Sequence, residues 1–187
     1  IAWFRIPPLA AYPTTNTIWM YYGNSSASDA QTRTAVWDAN HAGVWHFAGG
    51  ATDSTSNAKN GAATGVSYVS GLAGQVLSLD GTTGNSIQPP NSMLVSVVFT
   101  VGAWFKTTAN GVIVGHSNVA YSGGRGSWDP LLYVGTDGKL RGGTYAGQPN
   151  LVSNQTVNDG QWHYAVLTGN TNTQSLYLDG ALQMSFG

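Results

Sequence analysis

Every acidic side chain in this sequence is an aspartate: there are eight Asp and no Glu. Four of them (Asp80, Asp137, Asp159 and Asp179) stand directly before glycine, and no strand-like run carries two Asp at i and i+2. Glycoside hydrolysis generally needs two carboxyl groups flanking the scissile bond, and this spacing does not supply them. His41, His46, His116 and His163 are too dispersed for H-E-x-x-H or a paired zinc spacing. Ser, His and Asp are all present, but no G-x-S-x-G elbow exposes a nucleophile. Gly123-Gly124-Arg125-Gly126 follows neither phosphate-binding glycine pattern. The expectation is a protein that is not an enzyme.

The segment Asn118 to Pro130, NVAYSGGRGSWDP, offers a different chemistry. Tyr121 and Trp128 are flat rings, Arg125 is a forked donor and Asp129 an acceptor, all on a glycine-rich scaffold. A pyranose is bound by this mixture, with a ring against its apolar face and polar groups for its hydroxyls. The competing reading folds Trp128 back over the edge of the protein as a lid, with Arg125 paired to Asp129. Both readings stand at this point.

The elements that must position such a loop are strands. Asp159-Gly160 and Asp179-Gly180 bracket a stretch in which Trp162, Tyr164, Val166 and Thr168 alternate with His163, Ala165 and Leu167. That period of two predicts a half-buried strand, followed after Asn170 to Thr173 by a second strand over Ser175 to Leu178. Trp104 and Trp162 are expected to face the core, and His163 to be a structural or partly exposed strand residue. Asn-Gly or Asp-Gly also occurs at 60–61, 80–81, 110–111 and 137–138, with β-branched and aromatic runs between. The spacing reads as hairpins of an all-β antiparallel sandwich. Further strands are expected over Gln75 to Leu79, Val97 to Lys106, Gly111 to Gly115, Leu131 to Val134 and Lys139 to Thr144. Nearer the start, Thr17 to Tyr22 reads as a strongly β-prone strand, and at most a turn of helix is expected between Ala27 and Val36. Trp19, Trp37 and Trp45 are expected to pack between this first part and the sandwich.

Composition excludes several partners. Seven Lys and Arg scattered over 187 residues, with a net charge of −1, form no basic stripe for nucleic acid. No apolar run approaches the ~18 residues of a membrane helix. Cysteine is absent, so no disulfide contributes. Only 8% of residues are charged, yet 42% are hydrophobic, including seven Trp and nine Tyr. That balance points to a packed core under a surface of Ser, Thr, Asn, Gln and Gly, a composition common in secreted β-proteins. Asn24-Ser25-Ser26 and Asn154-Gln155-Thr156 are glycosylation acceptor patterns where the source glycosylates secreted proteins.

From Val44 onward the motifs VWHFAGG, GQVLSLDG, FTVGAWFKTT, DGKLRGG, DGQWHYAVLTG and SLYLDG occur in an order that resembles laminin-G-like, concanavalin A-type jelly-roll modules. The YYGN and VWDANHAGVWHF segments are similar to the end of a small domain of unknown function that precedes such modules in secreted microbial proteins. The expected division is 1–43 as the C-terminal fragment of that domain and 44–187 as the sandwich. Glucanases of this fold carry two Glu on one strand, which this chain lacks. The resemblance implies an extracellular or cell-surface module that binds a glycan or a surface protein. It also implies a calcium at the rim, for which Asp53 with Asn57 in the DSTSN loop is the best match. The alternative is an Asx-turn, with both side chains bonding the loop's own backbone. Family members continue past SLYLDG with further strands, so the sandwich is expected to lack its last ones. This raises a second functional reading: a structural subunit of an extracellular filament or surface layer, self-associating through sheet edges by strand exchange.

Overall fold

The computed structural model describes residues 3–6, 8–11, 13–82, 84–90, 93, 96–117, 128–144 and 150–187, with backbone alone at 117, 128 and 129. Twelve strands are formed among the described residues: β1 Ala62–Thr64, β2 Ser67–Gly71, β3 Gly74–Ser78, β4 Ser86–Gln88, β5 Phe99–Lys106, β6 Gly111–Ser117, β7 Trp128–Val134, β8 Lys139–Gly142, β9 Leu151–Thr156, β10 Trp162–Gly169, β11 Gln174–Leu178 and β12 Ala181–Phe186. All the strand pairings are antiparallel. Two four-stranded sheets, ordered β12-β11-β10-β5 and β6-β7-β8-β9, form the sandwich, and β1-β4 and β2-β3 are small separate ladders.

The core lies between the two large sheets. One supplies Phe105, Ala165, Leu167, Leu176 and Leu178; the other supplies Leu132, Val134, Leu140 and Leu151. The tips of Leu167 and Leu176 reach the backbone of Gly142 on β8, so the layers interlock at that point. A fully buried leucine of this kind contributes about 2–5 kcal/mol, judged by the cost of truncating it to alanine. Aliphatic residues at every second position of β10 and β11 create this surface, because successive side chains of a strand point to opposite faces.

The predicted hairpin over residues 157–180 is observed as β10 and β11. Asp179-Gly180 then turns the chain into β12, both residues adopting positive φ (51° and 83°), as a two-residue turn requires. Asp137-Gly138 turns β7 into β8. By contrast, Asn110-Gly111 and Asp159-Gly160 carry the chain from one large sheet to the other, so these dipeptides do not all mark hairpins as expected. Strands β1, β2, β4, β9 and β12 were not anticipated, since they are short or carry polar residues on both faces.

Three expectations are corrected here. Thr17 to Tyr22 forms no strand, and Trp19 is 77% exposed rather than packed against the sandwich. High β-propensity stabilises a strand only where a neighbouring strand is there to pair with. Trp37 does pack, against Trp3, His41 and His46, and the Trp45 indole donates to the Lys59 carbonyl at 3.0 Å. The third correction concerns Trp104 and Trp162. Both lie on the outer face of their sheet, because Phe105, His163, Ala165 and Leu167 take the inward positions. The alternation is the expected one, and the face that meets the core is the opposite one. The helical turn predicted between Ala27 and Val36 is a single 3-10 turn, Arg33–Ala35.

Candidate functional site

The DSTSN loop places Asp53 at 2% exposure with its carboxylate fully engaged. One oxygen accepts from the Val44 and Thr55 amides, both at 2.9 Å. The other accepts from the Thr55 hydroxyl at 2.8 Å and the Lys59 amide at 2.9 Å. Burial works against the ionised form, but these donors outweigh it and hold the carboxyl below its ordinary range. Asn57 turns its amide nitrogen to the His41 and Ala42 carbonyls, at 2.9 and 3.3 Å. A hard cation needs oxygen ligands that are free to face it, whereas here every Asp53 lone-pair direction meets a protein donor. The residues therefore do not fit calcium, and the geometry is that of a loop tied to its own backbone. Among the described residues, no three His, Cys, Asp or Glu side chains come together as a metal site.

Of the sugar-type loop, Tyr121 and Arg125 lie outside the described residues. Trp128 and Asp129 open β7, where their backbone pairs with Ser117 and His116.

A different cluster emerges on the outer face of the β12-β11-β10-β5 sheet. Strand register sets its side chains in rows. Trp104 stands opposite Tyr164; Gly102, Val166, Tyr177 and Leu182 form a second row; Thr100, Thr168, Ser175 and Ser185 form a third. Trp104 is 56% exposed, and its ring lies 5.1 Å from that of Tyr164 at an interplanar angle of 32°. Gly102 makes this possible, since a Cβ there would sit 2.6 Å from the Tyr164 hydroxyl. A glycine inside a strand often marks such a close approach. The surface is therefore a shallow aromatic platform, flanked on one side by Trp162 and Lys106 and on the other by the Gly102 row with the hydroxyls beyond it; the second and third rows carry no charged side chain.

His163 fixes the platform from beneath. It is 7% exposed and faces the core side of β10. Nδ1 lies 2.8 Å from Asp179 and Nε2 3.2 Å from Asp159. The other Asp179 oxygen accepts from the Tyr164 amide at 2.8 Å. Burial disfavours the imidazolium, yet the two carboxylates outweigh it and raise His163 above its ordinary 6.5. The turns at both ends of the β10-β11 hairpin are thereby pinned to one ring, next to Tyr164. Sequence reasoning identified the alternation containing His163 but not the partners, because both aspartates were assigned to turns alone.

Residues 80–186 match the Laminin_G_3 family, described as the concanavalin A-like lectin/glucanases superfamily. No curated protein and no solved structure matches the chain at a significant level. The matched segment is more than half of the chain and contains both large sheets with their shared core. The chain belongs to the laminin-G-like family of the concanavalin A-like superfamily, whose members are carbohydrate- or protein-binding modules.

Proposed function

We propose that this protein is a non-catalytic, extracellular recognition module that binds glycan through the outer face of the β12-β11-β10-β5 sheet. The observation that carries the reading is the exposed Trp104 ring set beside Tyr164 over the glycine gap at 102. An exposed indole held against a second ring offers a pyranose a preformed apolar surface, so little ordering is needed on binding. The hydroxyl row and the uncharged side chains that make up this face, Lys106 apart, suit an uncharged sugar. Family membership supports the binding class, and the absence of Glu from the sequence removes the usual carboxylate pair of the related glucanases. The Tyr121, Arg125, Trp128 and Asp129 loop is retained in this proposal as a second contact region. No described helix is long and apolar enough to cross a membrane.

The test is a glycan array followed by titration of the best ligand against Trp104→Ala. Binding should weaken at least about tenfold, the equivalent of ~1.4 kcal/mol, while the melting temperature stays within a degree or two because the ring is solvent-exposed. Unchanged affinity in the variant would refute the assignment.

A further inference from the structure

We infer that the opposite face of the sandwich carries a second, independent carbohydrate site: the groove between β6 and the β7-β8 hairpin, where Arg141, held in place by Asp137 at the groove's edge, is set to grip the vicinal diol of a terminal sugar. The argument begins with the hairpin sequence YVGTDGKLRG. Asp137 caps the turn by accepting from the Lys139 amide at 3.2 Å. Arg141, two residues further along β8, reaches back to it with both guanidinium arms, Nη1 to Oδ1 at 2.6 Å and Nη2 to Oδ2 at 3.0 Å. Gly135 clears the space, since a Cβ at that position would run into the guanidinium and sit 2.8 Å from the Asp137 carboxylate. The fork is thus laid across a strand end that has no side chain to obstruct it.

Beside Arg141, which lines it while Asp137 stands outside, lies an open groove of about 460 Å³ bordered by Asn110, Gly111, Val112, Tyr133, Gly135 and Thr136. Its size falls in the lower part of the range, roughly 300–1,000 Å³, in which small-molecule sites occur. Register places Val112 opposite Tyr133 and Tyr133 opposite Arg141, so an apolar and aromatic strip runs beside the ion pair. The Tyr133 hydroxyl accepts from Asn150 at 2.8 Å, which fixes the ring and leaves its own proton to donate.

The chemistry of the pair selects its ligand. Three guanidinium N–H groups and the outer carboxylate lone pairs remain free of each other. A simple anion meets Asp137 and a simple cation meets Arg141, so neither gains from the site. A vicinal diol both donates and accepts at two adjacent oxygens, and it is neutral. The pair is already ordered before the ligand arrives, which removes part of the entropy cost of binding. This site shares no residue with the platform around Trp104 and does not depend on it.

Titration of the ¹⁵N-labelled protein with methyl pyranosides, and with their per-O-methylated counterparts, tests the assignment. Saturable amide shifts are expected at Val112, Thr136 and Arg141 with the free sugars at millimolar concentration, and none with the methylated ones. Arg141→Lys keeps the charge but loses the fork, and should weaken these shifts about tenfold. Gly135→Ala should do the same by displacing the guanidinium, and Trp104→Ala should leave them unchanged. The inference is overturned if no groove amide responds, if methylated sugars bind equally, or if Arg141→Lys binds as the wild type. Should Gly135→Ala fail to fold, Arg141→Lys alone decides. A groove response that survives Trp104→Ala supports this site whatever becomes of the platform.

Discussion

The two outer faces of the sandwich share one core and differ in almost everything else. On the β12-β11-β10-β5 sheet the outward residues are rings, aliphatic side chains and hydroxyls in rows, with Lys106 in the row beside Trp104. On the β6-β7-β8-β9 sheet the chain forms a groove with a bidentate ion pair at its edge. Each face depends on one glycine at a close approach, Gly102 beneath Tyr164 and Gly135 beneath Arg141. Under the proposed reading, the same scaffold presents two recognition chemistries, one driven by stacking and one by directed hydrogen bonds, according to which side chain is laid over the missing Cβ.

The comparison breaks most severely at what the faces have in common. Leu176→Ala removes a fully buried side chain that reaches across to Gly142. It should cost about 2–5 kcal/mol, measured by urea unfolding, and should weaken binding at both faces together. Damage confined to one face would show that the sheets are not energetically joined through this contact.

A smaller effect, that of pH, separates the faces. His163 has a raised folded-state pKa, so its contribution to stability is fully present below the unfolded value near 6.5 and is lost as pH rises through the higher folded value. Asp159 is shifted down, chiefly by the Gln161 amide and also by His163, so its contribution is present above the ordinary 3.8 and is lost only on acidification. The groove behaves differently. Arg141 holds Asp137 at about 2, and the guanidinium itself is shifted up, so that pair stays ionised across the neutral range. Melting temperature should therefore fall as pH rises above 6.5, and His163→Gln should flatten that limb. Groove binding by methyl pyranosides should not follow the same curve. An unchanged pH profile in His163→Gln would remove the histidine from the account.

Much of the architecture was legible in the sequence, and the reasons are local. Alternation in β5, β10 and β11 and the turn chemistry of Asp179-Gly180 depend on a few adjacent residues, so they can be read without knowing the fold. Which face of an alternating strand meets the core is not local. Trp104 and Trp162 looked like core residues because they are large and apolar, but the inward surface was completed by Leu167, Leu176 and Leu178 against leucines of the other sheet. Asp53 shows the same limit: its type fitted a metal ligand, and only the four converging donors reveal it as a loop anchor. Glycine inside or at the end of a strand, at positions 102 and 135, is the local feature that the two faces share.

The central claim, that the platform around Trp104 is where glycan is bound, is tested most directly by following tryptophan indole resonances while the wild-type protein is titrated with the uncharged oligosaccharide that binds best on an array. The account predicts that the Trp104 Nε1 signal moves saturably with the binding isotherm, whereas the Trp45 signal, whose proton is held by the Lys59 carbonyl, stays in place. Saturable binding with the Trp104 signal unmoved would contradict it.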